Sequence, residues 1–483
     1  MRKAKKLIAG VLGISMMFSL CACGKGGNGG STAVKDDMDK QVNLIWYIRN
    51  TEPAGFDEVQ EEFNKQLLEK INATVDIRFI QAGDWKDKTN MMMAAQEEFD
   101  LIWTADWASD FANMVDMGAL IPLDDLLETT PELKKLYSDG VWEATSFNGK
   151  IYGVPNNQVI YDQAGLWFKK DLVDKYSLPV EEIKSLNDLT PILQTVKDGE
   201  ASDLIPIRSG YPYLFDAPET KIKNFAIRDG KVVDPDEDQS KQDAFKIMRD
   251  GYQKGFFPAD VNTLTDEESL ISAGKIFSRY NRQLPGASEK HKLAYNYDVV
   301  NVATNEPMIS RSSVQSTMTS ISATSKNPGR AIKLIELMET DKDLFNLLAY
   351  GLEGRDYTKD PANENRINRT ADSYYVPEFL IGNQFLAYLQ PSYTDTVWEE
   401  TEAANESSPV DPNAGFAFDQ TPVNSEITNL ASVSQEFGST LNNGLDDPDT
   451  VYPKYMEKRK LAGSEKVIAE IQTQYDAWAA NNK

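Results

Sequence analysis

The chain has very little cysteine or histidine, which excludes several kinds of chemistry. Its 483 residues include two cysteines, Cys21 and Cys23, and one histidine, His291. Because both cysteines lie in the N-terminal segment, the rest of the chain has no thiol for a disulfide, thiolate catalysis or a cysteine-ligated zinc ion. A serine–histidine–aspartate triad would need His291, and no Gly-x-Ser-x-Gly turn supplies its serine. Since His291 lies in the polar stretch 288–292, we expect it to be a solvated surface residue.

The sequence also lacks the features of nucleotide and nucleic-acid binding. It contains no Walker loop and no Gly-x-Gly-x-x-Gly turn to hold a phosphate. The net charge is −25, with 75 acidic against 50 basic residues, whereas nucleic-acid binding requires a basic surface. Acidity of this kind is typical of a protein that must stay soluble at a surface. We therefore expect no nucleic-acid partner and no cofactor.

The acidic residues form no complete metal-binding motif. The closest match to a calcium loop begins at Asp234 and runs to Asp238, with acids at alternating positions. It has Gln239 where the turn glycine belongs and Phe245 where the bidentate glutamate belongs. We expect a solvated acidic loop without a metal. Paired carboxylates could still make a glycosidase without histidine or cysteine, so that alternative stays open.

The N-terminus has the features of a secretory signal. Four basic residues precede an apolar run from Leu7 to Leu20, which is too short to span a bilayer comfortably. The sequence that follows, Leu20 to Gly24, resembles the lipobox of bacterial lipoproteins, and this implies cleavage after residue 22 and lipidation of Cys23. An ordinary signal peptide is the alternative. Residues 23–40 are rich in glycine and predict a flexible tether.

The rest of the chain predicts an extracytoplasmic protein of two domains. After cleavage about 460 residues remain, which is too long for one compact core. No second apolar stretch of spanning length is present, so we expect the body to lie outside the membrane. Three apolar or alternating segments predict strands, and two helical patterns lie between them. The strands are 43–48, 74–80 and 99–104, and the helical patterns are 56–71 and 91–96.

This alternation predicts an α/β fold with a largely parallel sheet. Ligands of such sheets bind beyond the carboxyl ends of the strands, which here lead into the loops 49–55, 81–85 and 105–110. Farther along, residues 148–155 predict a hairpin that closes on a proline. Isoleucine and aromatic residues at helical spacing between Tyr455 and Trp478 predict a helical C-terminus.

Several segments resemble the extracellular solute-binding proteins of sugar ABC importers, the maltose-binding-protein-like family 1. Segments 153–155 and 165–172 resemble the crossover from lobe one to lobe two, and 321–331 resembles the return segment. Segments 346–354 and 415–419 resemble a LipO-like branch that has a distinctive C-terminal region. The resemblance covers nearly the whole mature chain.

The resemblance implies a periplasmic-binding-protein-like (type II) fold of two α/β lobes with several hinge crossovers. Lobe one is then expected at 41–154 plus 307–350, and lobe two at 155–306 plus 351–483. It also implies a monomer that closes around its ligand and docks on ABC transporter permease subunits, held at the outer face of the cytoplasmic membrane by the lipid at Cys23.

Aromatic and polar side chains in the predicted cleft loops are the candidate ligand contacts. Sugar rings pack on aromatic faces, and their hydroxyl groups need fixed donors and acceptors. In lobe one the best local group is Trp103, Asp106 and Trp107. Because Trp103 belongs to its strand, core packing is favoured for it, whereas Trp107 lies past the strand. In the first loop we expect contacts from Arg49, Asn50 and Glu52.

Other candidates come from the crossover and from lobe two. Asn156 and Gln158 either point amides into the cleft or serve only the hinge. Arg208 and Tyr213 flank a glycine and proline loop that would form an aromatic platform, or an ordinary turn. The remaining candidates are Tyr350, Glu353 and Trp398.

These observations predict a non-enzymatic receptor that captures a carbohydrate, with an oligosaccharide favoured by the tryptophans. Two alternatives remain. The same fold could bind a peptide or an amino sugar, or the chain could be a surface glycosidase or lyase.

Overall fold

The structure is a computed structural model that describes residues 37–109, 111–370 and 372–482. The predicted signal peptide, the lipobox with Cys23 and most of the predicted tether lie outside the described residues. Within the described part of the chain, no helix is both long enough and apolar enough to cross a membrane.

The strands are numbered in chain order. They are β1 (Val42–Ile48), β2 (Ala73–Phe79), β3 (Leu101–Thr104), β4 (Ser146–Phe147), β5 (Lys150–Ile151), β6 (Val154–Pro155), β7 (Ala164–Lys169), β8 (Ile205–Ile207), β9 (Thr220–Ile222), β10 (Phe225–Arg228), β11 (Lys231–Val233), β12 (Ile276–Arg282), β13 (Val299–Ala303), β14 (Met318–Ile321), β15 (Thr358–Asp360) and β16 (Asn363–Asn368).

The helices are numbered in the same way. They are α1 (Phe56–Ile71), α2 (Trp85–Ala94), α3 (Asp106–Ser109), α4 (Phe111–Asp116), α5 (Asp124–Leu127), α6 (Pro131–Lys134), α7 (Asp139–Ala144), α8 (Lys170–Tyr176), α9 (Leu186–Gly199), α10 (Gln239–Gln253), α11 (Glu267–Ser272), α12 (Ala287–Tyr295), α13 (Arg311–Val314), α14 (Pro328–Thr340), α15 (Lys342–Tyr350), α16 (Val397–Ser407), α17 (Asn424–Asn442), α18 (Pro448–Leu461) and α19 (Ser464–Asn482).

The first sheet has the order β2-β1-β3-β14-β6. Strands β1, β2 and β3 are parallel, and β14 joins β3 in the antiparallel direction. The strand–helix alternation predicted from residues 43–104 is therefore confirmed. The chain returns to this sheet only at Met318, after building the second sheet.

Helix α1 has the apolar spacing that the sequence predicts for residues 56–71. Apolar residues at spacings of three and four are all buried, and they form one face packed on the sheet. The helix begins after Gly55 and ends at Asn72, whose left-handed backbone terminates it. A hairpin is also present, but it spans 146–151 instead of the predicted 148–155, with Asn148 and Gly149 at positive φ values in the turn between β4 and β5.

The second sheet has the order β13-β7-β12-β8 and comes from one continuous stretch of chain, 164–303. Strand β7 is antiparallel to both neighbours, while β8 runs parallel to β12. Its core is separate from that of the first sheet and includes Leu166, Phe168 and Phe277, all with exposures of 0%. Two packed sheets with separate cores define two lobes.

The C-terminal region packs against the second sheet's side of the molecule. Helices α17, α18 and α19 contact one another, and α19 covers the three-stranded sheet β9-β10-β11. Buried Ile471 and Tyr475 of α19 share a core with Phe225 of β10. The helical C-terminus predicted at 455–478 is present, but it breaks at Gly463, which has a φ of +100°.

The core of the first sheet crosses the predicted lobe boundaries, most extensively in one segment. Buried residues from Tyr357 to Tyr388 belong to the first sheet's core, together with Leu44 and Ile332. The prediction gave all of 351–483 to lobe two. The difference arises because 351–388 continues directly from α15, which packs on α1 and α14.

Three segments run side by side between the lobes. Asp162 and Met308 exchange backbone hydrogen bonds of 2.9 and 3.0 Å, and Ile309 bonds in the same way to Pro409 and Asp411, each at 2.8 Å. The first segment leaves lobe one after β6, the second returns from β13, and the third leads to the C-terminal region. These are the crossovers of a hinge.

His291 is not a solvated surface residue, so that prediction is wrong. Its side chain is 9% exposed, and its ring lies 4.7–4.9 Å from the rings of Trp167, Tyr295 and Tyr297. Burial lowers the pKa of His291 to about 4, so the imidazole is neutral at pH 7. Polar neighbours in sequence concealed an aromatic environment that tertiary packing creates.

Two carboxylates of the acidic loop are buried, contrary to the prediction of a solvated loop. Asp234 and Asp236 are 4% and 8% exposed. Arg459 of α18 lies between them, 2.6 Å from the Asp234 carboxylate and 3.5 Å from that of Asp236. A guanidinium from the distant C-terminal region thus supplies the positive charge that a metal would bring, and sequence spacing could not reveal it.

Candidate functional site

A cleft of about 890 Å³ lies between the two lobes, and we call it the main cleft. Residues of the first lobe, of the second lobe and of the three crossing segments all line it. It therefore has the position in which a hinge motion would enclose a ligand.

The first-lobe wall contains Asp106, Arg311 and Gln315. Strand β3 ends at Thr104, and Asp106 begins α3, its backbone N–H donating to the carbonyl of Gln315. Arg311 donates to the carbonyls of Ser146 and Ala414, at 2.8 and 3.2 Å. These bonds fix the guanidinium at the cleft wall.

The two charged groups of this wall influence each other. Burial raises the pKa of Asp106 to about 6, and the positive charge of Arg311 opposes that rise. Burial lowers the pKa of Arg311, which the Asp106 carboxylate in turn opposes. At neutral pH the wall therefore presents a carboxylate acceptor beside a guanidinium donor.

The second-lobe wall is rich in tyrosine. Tyr211, Tyr213 and Tyr280 line it, and the last two are 40% and 43% exposed. The ammonium of buried Lys241 lies 3.5 Å from the Tyr213 ring centroid and 2.8 Å from Asp216. Because one face of Tyr213 rests on this cation, the ring is held in place, and burial raises its pKa so that it stays a neutral donor.

A hydrogen-bonded network forms the hinge side of the cleft. Thr220 donates to Asp411 at 2.6 Å, and Asn413 donates to Thr220 at 2.8 Å. Tyr475 of α19 donates to Asn413 at 3.0 Å. The third crossing segment is thereby joined to the second lobe and to the C-terminal helix.

A tryptophan cluster of Trp85, Trp103 and Trp107 with Arg49 adjoins Asp106. The Trp103 ring lies 5.5 Å from that of Trp85 and 5.8 Å from that of Trp107. The Arg49 guanidinium lies 4.9 Å from the Trp107 ring centroid. Trp103 is fully buried, whereas Trp107 is 59% exposed. The structure therefore brings together three predicted residues, Trp103 from β3, Trp107 from α3 and Arg49 from the loop after β1.

Gln158 extends this cluster through Ser316, which precedes β14. It donates to the Ser316 hydroxyl at 3.2 Å, and Trp107 donates to the Ser316 carbonyl at 2.7 Å. Asn156, two residues earlier, is 1% exposed and bonds internally to Thr317, Thr319 and Phe379. Its amide stabilises the crossover.

The other predicted residues lie outside the main cleft. Tyr350 is fully buried and donates to Glu378. Glu353 lies 3.8 Å from Lys359. Trp398 donates to the carbonyl of Ala387 and lines a smaller cavity of about 380 Å³. Ligand contact by each of these stays a prediction, and for Tyr350 it would require the core to open.

Three predicted residues remain, of which Asn50 and Glu52 lie in one loop and Arg208 lies at a side groove. Asn50 is half-buried and Glu52 exposed in the loop after β1, near Arg49. Arg208 follows β8, forms an ion pair of 2.7 Å with Glu267, and lines a side groove that adjoins the main cleft. Of the thirteen predicted contacts, Asp106 and Tyr213 line the main cleft itself.

Sequence reasoning missed Tyr280, Arg282, Arg311, Asp411 and Asn413, which also line the cleft. The proline-flanked segment around Asp411 was the one local signal, because extended proline-rich chain suits a crossover. The others depend on pairings such as β12 with β7, which no local pattern specifies.

The side chains of the site are suited to binding a polar ligand that has apolar faces. Tyrosine rings offer flat apolar faces, and fixed carboxylate, amide and guanidinium groups offer hydrogen bonds to hydroxyl groups. Within the described residues, no group of histidine, cysteine, aspartate and glutamate is arranged to hold a metal ion.

Comparison with known proteins identifies the class. Residues 49–345 match the model of the bacterial extracellular solute-binding protein family, and residues 412–480 match a domain of unknown function, DUF3502. The chain belongs to the bacterial extracellular solute-binding protein family, and membership places its body on the extracytoplasmic side.

Particular relatives cover almost the whole chain. A carbohydrate ABC transporter substrate-binding protein of Streptococcus pneumoniae serotype 4 is 28% identical over 97% of both chains. The crystal structure of NgtS, an N-glycan transport solute-binding protein of S. pneumoniae, is 27% identical, with a TM-score of 0.80 over 92% of this chain and 100% of that one. NgtS in complex with Man5GlcNAc is 26% identical, with a TM-score of 0.65 over 92% and 100%.

Proposed function

We propose that this protein is the substrate-binding component of an ABC importer that captures an oligosaccharide in the main cleft. The observation that carries the proposal is the cleft itself, which combines tyrosine faces on one lobe with fixed polar groups on the other and lies beside the hinge. The names of the relatives, a carbohydrate substrate-binding protein and an N-glycan transport protein, support a carbohydrate ligand.

The proposed mechanism is closure of the lobes around the sugar. The TM-score to NgtS falls from 0.80 to 0.65 when NgtS holds Man5GlcNAc, although the sequence identity is nearly the same. The sequence identity does not account for this fall, so we attribute it to a different arrangement of the two lobes in the complex. This supports an open state for the present structure, and a ligand that contacts both lobes would favour the closed one.

The anchoring and assembly belong to the same proposal. Lipidation at Cys23 would hold the protein at the outer face of the cytoplasmic membrane, with the glycine-rich segment as its tether. A monomer that closes around its ligand would then present the loaded state to the permease subunits. Capture of the sugar and its delivery to the permease require no covalent step.

The test uses a soluble protein that begins near Ser31. It is titrated with oligosaccharides, amino sugars and peptides, while isothermal calorimetry measures affinity and small-angle X-ray scattering measures the radius of gyration. We expect saturable binding of an unchanged oligosaccharide and a smaller radius in the bound state. If only peptides or only amino sugars bind, the protein is a receptor for that ligand class instead. If chromatography shows cleaved glycan, the protein is a glycosidase or lyase.

A matched pair of variants locates the site. Tyr213→Ala removes a ring from the cleft wall, whereas Tyr252→Ala removes a half-buried tyrosine that does not line the cleft. We expect Tyr213→Ala to weaken binding about tenfold, which corresponds to about 1.4 kcal/mol, and Tyr252→Ala to leave affinity unchanged. Equal affinities for both variants would remove Tyr213 from the site.

A further inference from the structure

A side groove of about 670 Å³ opens off the main cleft. The two spaces share Gly210, Tyr211, Tyr280 and Asn442 as lining residues. The groove runs between the second sheet's end and helix α17 of the C-terminal region. It therefore continues the main cleft instead of forming a separate cavity.

Two tyrosines stand where the spaces meet. The rings of Tyr211 and Tyr280 lie 5.6 Å apart, with 37° between their planes, and both line the main cleft and the side groove. An aromatic pair in this position suits a sugar chain that passes from one space to the other.

The side groove offers hydroxyl and amide groups. Ser434, Gln435, Ser439 and Asn442 line it from α17. The side-chain oxygen of Asn442 is buried and has no hydrogen-bond partner among the described residues. Buried polar groups normally have partners, so this oxygen is an unsatisfied acceptor in the wall of the groove.

The charged residues of the groove are paired with one another. Glu267 forms ion pairs with both Arg208 and Arg279, at 2.7 and 2.5 Å. The groups left for a ligand are therefore mainly neutral ones, which is the chemistry that recognises an uncharged sugar.

Gly438 shapes the groove from inside α17. A glycine in a helix interior destabilises it relative to alanine, and Gly438 has no positive φ that would require glycine. A Cβ added there meets no atom within 4 Å, so packing does not require glycine either. The missing side chain leaves space in the groove, because Gly438 is one of its lining residues.

The loop at Gly210 explains why the groove has a fixed shape. A Cβ at Gly210 would lie 1.9 Å from the backbone oxygen of Asn442, so the loop after β8 and the end of α17 approach as closely as two backbones can. Asn443 accepts the Gly210 N–H at 2.9 Å. The C-terminal region is therefore in direct backbone contact with this loop at the junction of the two spaces.

We propose that the side groove binds the outer residues of a neutral oligosaccharide whose other end occupies the main cleft. The inference rests on the proposed function and extends it, since it assigns a role in binding to helix α17. The ligand is then longer than the main cleft alone can hold.

The experiment compares glycan length in the unchanged protein. Disaccharides and hexasaccharides of the manno-, malto- and xylo-series, together with Man5GlcNAc, are titrated by isothermal calorimetry. In the series that binds, we expect the longer glycan to bind at least about tenfold more tightly, because it contacts both spaces. Equal affinities for the two lengths would overturn the inference and leave the proposed function standing. Absence of binding in every series would overturn both.

Variants on α17 then show whether the extra affinity of the longer glycan arises in the side groove. Gly438→Leu adds a side chain to the groove wall at a position where a Cβ meets no atom within 4 Å. Asn429→Leu is the matched control, exposed on the opposite face of the same helix. We expect Gly438→Leu to bind the longer glycan only as tightly as the disaccharide, while its affinity for the disaccharide is unchanged.

A further variant, Gly438→Ala, tests whether a folding defect is responsible for the lost affinity. Gly438→Ala should raise the melting temperature, because alanine favours the helix, and it should weaken only the longer glycan. Unchanged affinity of Gly438→Leu for the longer glycan, or an equal loss in Asn429→Leu, would overturn the inference.

Discussion

Arg459 donates to the carboxylate of Asp234 across 2.6 Å, and both side chains are excluded from solvent. The two residues lie 225 positions apart, one in α18 and one in the loop before α10. Tyr455 donates to Asp236 in the same group at 2.6 Å. This buried network fastens the C-terminal helices to the second lobe.

Removing the guanidinium should destabilise the protein strongly. Arg459→Met leaves the Asp234 charge buried without its partner, and such losses cost about 3–5 kcal/mol. Urea denaturation followed by circular dichroism measures the free energy of unfolding. Lys460→Met is the control, because the pair of Lys460 with Glu465 is exposed and should contribute less than about 1 kcal/mol. A small loss for Arg459→Met would show that the network is not needed for stability.

The acidic loop should not respond to calcium. Since Arg459 already occupies the space between Asp234 and Asp236, a divalent ion would meet a positive charge there. We expect the same melting temperature in calcium and in EDTA, measured by scanning calorimetry. A rise in calcium alone would contradict this arrangement of the loop.

The two neighbouring tryptophans should differ in effect. Trp107→Ala removes a 59% exposed ring and should weaken glycan binding while changing the free energy of unfolding by less than about 1 kcal/mol. Trp103→Ala empties a fully buried position and should cost about 3–5 kcal/mol. Calorimetric titration and urea denaturation of both variants separate ligand contact from core packing. Unchanged affinity in Trp107→Ala would remove Trp107 from the site.

Glycan binding should depend on pH through Asp106. Burial raises the pKa of this carboxyl to about 6, so it is ionised above pH 6 and protonated below. The ionised form accepts hydrogen bonds from sugar hydroxyls at both oxygens, so affinity should fall as pH falls from 7 to 5. Asp106→Asn should bind more weakly at pH 7 and lose this dependence. A wild-type affinity that is flat over the same range would exclude a role for Asp106.

Stability should depend on pH through His291. Burial lowers the pKa of His291 to about 4, below the value of about 6.5 in the unfolded chain. The unfolded state therefore binds more protons between these values, and stability is lost as pH falls from 6.5 towards 4. The loss should reach up to about 3 kcal/mol, and His291→Phe should reduce it. Urea denaturation at pH 5 and pH 7 measures the free energy of unfolding of both proteins. If His291→Phe lost as much stability between these pH values as the wild type, His291 would not be the cause.

The sequence predicted those parts of the fold that local patterns encode. The run from Asn43 to Ile48 and the apolar spacing of α1 specify buried strands and a helix wherever they pack. The turn at Asn148 and Gly149 follows equally from residue preference. The placement of residues 351–388 in the first lobe does not, because it depends on which core their apolar side chains meet.

The candidate site was predictable only in part, for the same reason. Asp106 and Trp107 follow a recognisable strand end, so their neighbourhood could be anticipated. Tyr280 and Arg311 reach the cleft through strand pairing and through bonds to distant carbonyls, and the sequence has no sign of either. His291 shows the reverse case, in which polar sequence neighbours gave the wrong environment.

The return of β14 to the first sheet has a consequence for how the chain folds. Thr104 and Ser320, hydrogen-bonded across β3 and β14, are 216 residues apart, so the first sheet cannot be completed until most of the chain has been made. The second sheet needs only the continuous stretch 164–303. Because loop closure over long separations is slow, the half that is synthesised later has the shorter path to its native contacts. We therefore expect the second sheet to form before the first sheet is completed by β14.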